Sequence, residues 1–339
     1  MSLRTIQAAL TAFSVLLWAG PGIARAQSET CEGEDLVAKL QRDEPARYRR
    51  VLDHFATIEN GNGIFWKIEK PGLQPSFLFG TAHVTDQRVL NRLPSIEPKL
   101  QRSRALIVEI ADLSPNLSRQ MAIVQQYGML PEGETLDSRL TEAERKMLGQ
   151  ATAAHGMPWF SARRMKASFL ALTMSIPACV KIAMLRGEKV LDARLIDFAK
   201  SNDIPVIGLE TIDEQLTLIS TLDEDTQLSA LLEAVRSESN LIEDMFETTI
   251  NLHQKGQIAM VLSLTEVFKE DYPAASEAMD NFEGPIIAER NVRMHQRALN
   301  ELEKGGVFVA VGALHLPGET GLVRLFRGSG FAVTPITGE

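Results

Sequence analysis

The 339-residue sequence holds only two cysteines, three tryptophans and three tyrosines. Cys31 and Cys179 stand too far apart for a C-x-x-C redox pair or a zinc knuckle. In an oxidising compartment they would form one disulfide tying the N-terminal end to the middle of the chain; otherwise they are two separate thiols. So few Trp and Tyr give no sign of an aromatic-rich pocket around a haem. Positive charge is also short, with 35 Lys and Arg against 44 Asp and Glu and a formal charge of -9. Nucleic acids and anionic membranes bind clustered cations, so neither is an expected partner. Past the N-terminal segment no stretch approaches the roughly 18 apolar residues of a membrane span. The H-E-x-x-H, P-loop, G-x-S-x-G and dinucleotide fingerprints are missing. Zincin proteases, P-loop NTPases, α/β-hydrolases and Rossmann dehydrogenases are therefore not simple readings.

What is present begins with an export signal. Arg4, an apolar run from Ile6 to Trp18, and Ala24-Arg25-Ala26 make residues 1–26 a secretory signal peptide, with Gln27 as the expected mature N-terminus. The alternative is an uncleaved anchor, for which the run is slightly short. After cleavage the chain is expected in the periplasm or outside the cell, without stable membrane insertion. Residues 27–339 are long enough to bury the core of one α/β domain.

Strand signals lie at the two ends of that domain and its middle is largely helical. Cys31 to Ile58 has helical apolar spacing. Ile64 to Ile68 and Ser76 to Phe79, split by Pro71-Gly72, predict a β-hairpin. Ala105 to Ile110 is a continuous apolar run, as in a strand covered on both faces, and Glu109 is its one charge. Ser114 to Arg186 reads as helical, with a capping box at Thr141-x-x-Glu144. A helix over Leu191 to Lys200 precedes a short strand, Ile204 to Leu209, that ends in Glu210. Helices continue to about Asn300, broken near Pro273 and Gly284-Pro285. Val307 to Val311, a helix over Leu322 to Arg327, and Phe331 to Pro335 predict a β-α-β unit with a parallel pair.

Two apolar strands run into G-x-x-H, at His83 and at His315. Ligands of open α/β sheets bind beyond the carboxyl ends of strands, and four such ends carry polar groups here: His83, Glu109, Glu210 and His315. Glycine three residues before each histidine would let the backbone turn sharply. Two imidazoles with one or two carboxylates suit a divalent metal with open positions for water. Without metal the same groups suit a general base and its orienting partner. Asp86 is a further candidate ligand or partner of His83. Glu210 could instead only cap the following helix. Arg290 could hold a carboxylate or an anionic substrate group, or lie on a solvated helix face. His54, His155, His253 and His295 read as surface or packing residues.

These segments resemble the TraB/GumN family, which includes the Tiki proteins. The resemblance rests on Ser76 to Asp86 around Gly80-Thr81-Ala82-His83, on Ala105 to Glu109, and on Leu191-Asp192 with Gly208-Leu209-Glu210-Thr211 and Gln215. It extends through Arg290-Asn291 to Val309 to Leu322. It implies a mixed, mostly parallel sheet flanked by helices, built from two distantly similar halves, like erythromycin esterase and the haem-binding ChaN proteins. It also implies a metal-dependent peptidase with His83, Glu109 and His315 at the site and Mn²⁺, Co²⁺ or Zn²⁺ as the metal. Glu109 or Glu210 would serve as base, and the substrate would be a peptide or small molecule. A periplasmic haem- or iron-binding protein and a metal-free esterase-like enzyme are the alternatives.

Overall fold

In a computed structural model, residues 31–337 are described, apart from 113–116, 237–240, 275–276 and 278–285. The signal peptide expected over residues 1–26 and the helix break expected at Gly284-Pro285 lie outside the described residues.

Six strands form one sheet: β1 (Phe65–Glu69), β2 (Ser76–Thr81), β3 (Ala105–Val108), β4 (Val206–Gly208), β5 (Val307–Gly312) and β6 (Ala332–Pro335). Their order is β4-β3-β5-β2-β1-β6. β4, β3, β5 and β2 run parallel, whereas β1 is antiparallel to both β2 and β6. The fold is thus α/β with a mixed, mostly parallel sheet, and the expected hairpin is the β1–β2 pair. The expected β-α-β pair needs correction. β5 and β6 point the same way, but β6 packs on β1 at the edge, with β2 and β1 between them. Apolar pattern marks a strand but does not choose its neighbour.

The unbroken apolar runs of β3 and β5 are buried throughout. Helices cover both sheet faces, so both sides of each strand need apolar residues. Phe308 and Ala310 of β5 face a core shared with Leu36–Asp43, Leu241–Lys255 and Met260–Val267. Val307, Val309 and Val311 face Ala288–Leu302 and Leu322–Gly328.

The helical middle is broken into short pieces and has a core of its own. Leu148, Phe169, Leu170 and Met174 pack with Ile212, Leu216 and Leu231. This layer joins the sheet at Ile110 and Ile212, just beyond the ends of β3 and β4. Its capping box is formed: Thr141 N–H donates to Glu144 Oε2 at 2.9 Å, and Glu144 N–H to Thr141 Oγ1 at 3.3 Å. Cys31 and Cys179 are disulfide-bonded, with their Cα atoms 5.4 Å apart.

Candidate active site

β2 and β5 are neighbours in register, with Thr81 opposite Gly312. The two G-x-x-H turns therefore leave the sheet side by side, although 232 positions separate their histidines. Their glycines act through space rather than through a special backbone angle. A Cβ on Gly80 would stand 2.8 Å from Ala313 Cα. A Cβ on Gly312 would stand 3.0 Å from Glu109 Oε1, 3.5 Å from His315 Cδ2 and 4.0 Å from His83 Nε2. Gly312 has a φ of -50°, which any residue can adopt. Its missing side chain is the space around which the two histidines and Glu109 gather.

Each imidazole is held by its Nδ1. His83 Nδ1–H donates to Asp192 Oδ2 at 2.8 Å, and Thr81 Oγ1–H donates to Asp192 Oδ1 at 2.6 Å. His315 Nδ1–H donates to Asn291 Oδ1 at 2.6 Å. Asn291 Nδ2 donates to the Thr320 carbonyl, which fixes the orientation of the amide. Both Nε2 atoms are then left for the centre. His315 is fully buried, its Nε2 lies 3.6 Å from Glu109 Oε1, and that nitrogen has no hydrogen-bond partner.

Glu109 directly follows β3 and is 6% exposed. Its Oε1 accepts the Gly312 N–H at 2.5 Å, and its Oε2 accepts Arg290 Nη2 at 2.8 Å and Gln215 Nε2 at 3.4 Å. Glu210 joins the centre through the same two residues: its Oε2 accepts Arg290 Nε at 2.9 Å and Gln215 Nε2 at 3.1 Å. Arg290 is only 2% exposed and binds two carboxylates of its own chain, so it is no part of a solvated face. Nor does Glu210 cap the following helix. Thr211 and Glu214 make that capping box, leaving Glu210 free to turn inward.

The same surroundings set protonation. Burial alone would raise the Glu109 carboxyl, but the rings of His315 and His83, the Arg290 guanidinium and the Gly312 N–H bring it down to about 2. Burial opposes charge on His83, yet Asp192, with Glu109 behind it, lifts that ring to about 9. His315 is pushed down to about 3 by burial and by Arg290.

Sequence reasoning assigned no role to Asp192, Thr81, Gln215 or Asn291. Asp192 sits in the first turn of a helix, where an acid is ordinary; only the partners of its buried carboxylate distinguish it. Asp86 is not a partner of His83. It caps the helix Gln87–Leu90 and pairs with Arg88.

His253 is a packing residue, as expected, but a fully buried one. Its Nε2–H donates to the Gly80 carbonyl at 2.9 Å, and burial pushes the ring down to about 4. An unfolded chain takes up this proton near pH 6.5, whereas the folded chain refuses it until about pH 4. Stability is therefore expected to fall as pH drops from 6.5 towards 4. Urea midpoints across that range should fall less steeply in His253→Gln; identical slopes would contradict this.

A buried centre of two imidazoles and two carboxylates at the carboxyl edge of an α/β sheet is an arrangement suited to hydrolysis. The chain belongs to the TraB/PrgY/gumN family, whose match spans residues 64–335. It is 25% identical over 283 residues to the uncharacterized protein YbaP of Shigella flexneri, covering 82% of this chain and 98% of that protein. It is 24% identical over 318 residues to Metalloprotease TIKI1 of Danio rerio, covering 80% of this chain and 63% of that protein. Metalloprotease TIKI2 of the same fish is 23% identical over 328 residues, again across 63% of its length. No solved structure matches the chain significantly, and the expected likeness to erythromycin esterase and ChaN proteins rests on the sequence resemblance alone.

Proposed function

We propose that the chain is an exported metal-dependent hydrolase acting on peptides, with His83, His315 and Glu109 holding a divalent metal. One observation carries this reading: His83 Nε2 and Glu109 Oε1 border the space left by Gly312, and His315 Nε2 lies 3.6 Å from the same Glu109 oxygen. Among the described residues no group of three or more His, Cys, Asp and Glu side chains already stands at metal-ligand spacing. The donor set nevertheless suits Mn²⁺, Co²⁺ or Zn²⁺. The orphaned His315 Nε2 is buried with nothing to bind, and each ring is anchored through its other nitrogen, as metal-binding histidines are. The likeness to the TIKI metalloproteases points the same way. The signal-like N-terminus and the disulfide support export.

A divalent metal bound there would polarise a peptide carbonyl and acidify a bound water. The chain's own groups do the rest. Arg290 keeps Glu109 ionised and leaves its Oε1 turned towards the histidines, so Glu109 rather than Glu210 is placed to hold the metal. Glu210, Gln215 and Arg290 act as positioning residues behind it. Asp192 and Asn291 fix the two rings.

Elemental analysis of the purified mature protein, beside peptide-library cleavage with added Mn²⁺, Co²⁺ or Zn²⁺, tests the proposal. Wild type should retain a divalent metal and cleave unstructured peptides, and His83→Ala/His315→Ala should do neither. A wild-type protein without metal and inert on every peptide would overturn it. Asp192→Asn should weaken metal binding by about 10–100-fold while leaving the fold intact, as read by competition with a metal-sensitive dye. Unchanged affinity would remove Asp192 from its positioning role.

The metal-free esterase-like reading draws on the Asp192–His83 pair, an imidazole with an orienting carboxylate. Activity that survives exhaustive chelation would move the assignment there. The haem-binding reading draws less support, because His315 is fully buried and the cavity beside His83 measures only about 30 Å³.

A further inference from the structure

The helix Leu241–Lys255 meets the segment that carries His83 at two places. Near the helix end, His253 donates its Nε2–H to the Gly80 carbonyl at 2.9 Å, and the bond is buried. Near its middle, Glu247 receives both terminal nitrogens of Arg88, at 2.6 and 2.7 Å. The two contacts bracket His83, which lies three residues after Gly80 and five before Arg88. The second is partly exposed, with 38% of the Arg88 side chain open to solvent, and a screened ion pair holds geometry weakly. The first is sealed, because His253 is fully buried. A hydrogen bond in the interior is stronger, and its loss strands a polar atom.

Only the Nε2–H tautomer of His253 can donate to that carbonyl. Nδ1 is then a bare acceptor, and it has no hydrogen-bond partner among the described residues. An apolar side chain would fill the same space without an orphaned nitrogen, so bulk alone does not account for a histidine here. The ring also meets Phe79 edge-on, with centroids 6.2 Å apart at 84°.

The Gly80 carbonyl belongs to the planar peptide that leads into Thr81. Holding its oxygen fixes that plane and the direction in which Thr81 leaves the strand. Gly80 is held elsewhere too: its N–H donates to the Ile64 carbonyl at 2.7 Å, and its Cα faces Ala313 of the second turn. From Thr81 the order passes on. The Thr81 hydroxyl and the His83 Nδ1–H bind the two oxygens of Asp192, at 2.6 and 2.8 Å. Rotating the Gly80–Thr81 peptide would draw these two donors away from their shared carboxylate.

Resting on the metal-site reading above, we propose that His253 is a positioning residue of the candidate site. Its Nε2–H, rather than its bulk, sets the peptide from which the first G-x-x-H turn departs, and through Thr81 and Asp192 it aims His83. It touches neither metal nor substrate.

Proton NMR of the purified, ¹⁵N-labelled mature protein tests this without turnover. The His83 Nδ1–H, bound to a buried carboxylate, should give a resolved signal far downfield. His253→Gln carries an amide N–H to similar reach and should keep that signal. His253→Phe keeps a ring against Phe79 but removes the donor; it should broaden or lose the signal while the circular dichroism stays native. His253→Leu serves if the phenylalanine variant does not fold. Competition with a metal-sensitive dye should give the same ranking, with glutamine close to wild type and phenylalanine about tenfold weaker. An undisturbed His83 signal in the variants without the donor would overturn the proposal. So would a glutamine variant that loses the signal as fully as they do, or a wild type that lacks it. The two readings fail separately. A signal that depends on residue 253 in a protein that binds no metal keeps the positioning role and removes the metal site. Tight metal binding indifferent to residue 253 does the reverse.

Discussion

Arg290→Met is expected to cost about 3–5 kcal/mol of folding stability, because it strands two carboxylates in the interior. Glu109 is 6% exposed and Glu210 4%, and Arg290 bonds to both. The guanidinium is planar and always charged, so it can serve two acids from one side as a lysine ammonium cannot. Methionine fills similar volume, which separates the loss of charge from the opening of a cavity. Urea unfolding measures the loss. Adding Glu109→Gln and Glu210→Gln to Arg290→Met should recover part of it, since neutral amides need no counter-charge. A loss below about 1 kcal/mol would mean that water already reaches the two acids.

Removing the disulfide, by Cys31→Ser with Cys179→Ser, should cost about 2–5 kcal/mol. The bond closes a loop between residues 148 positions apart, so the unfolded chain gains much freedom when it is cut. Loss of native anchoring adds to this. Glu34 N–H donates to Asp244 and Leu36 N–H to Thr248 Oγ1, both at 2.8 Å. Gly33 lies so close to the helix Leu241–Lys255 that a Cβ would stand 2.0 Å from the Glu243 carbonyl. With the bond gone, this arm should exchange its amide hydrogens before the rest of the domain. Equal urea midpoints for oxidised and serine-substituted protein would show that packing alone holds the arm.

Much of the architecture was legible because strands covered on both faces must be apolar on both, so β3 and β5 stood out as unbroken runs. The candidate site was legible where a polar residue interrupted such a run at its end: His83, Glu109, Glu210 and His315. Asp192 was visible only as part of a segment resembling the family; its position in a first helical turn gave no hint that it holds His83. Local pattern was equally silent on β6, which could have paired beside β5 but closes against β1. It also gave no hint that the helical middle builds a core of its own.

β5 lies in the centre of the sheet, between β3 and β2, yet it begins only at residue 307. Until residues 307–312 are made, β3 and β2 lack the strand that joins them. Neither His315 nor the Gly312 space exists until nearly the last residue is made. The candidate site is therefore completed by one of the last segments of the chain to be made.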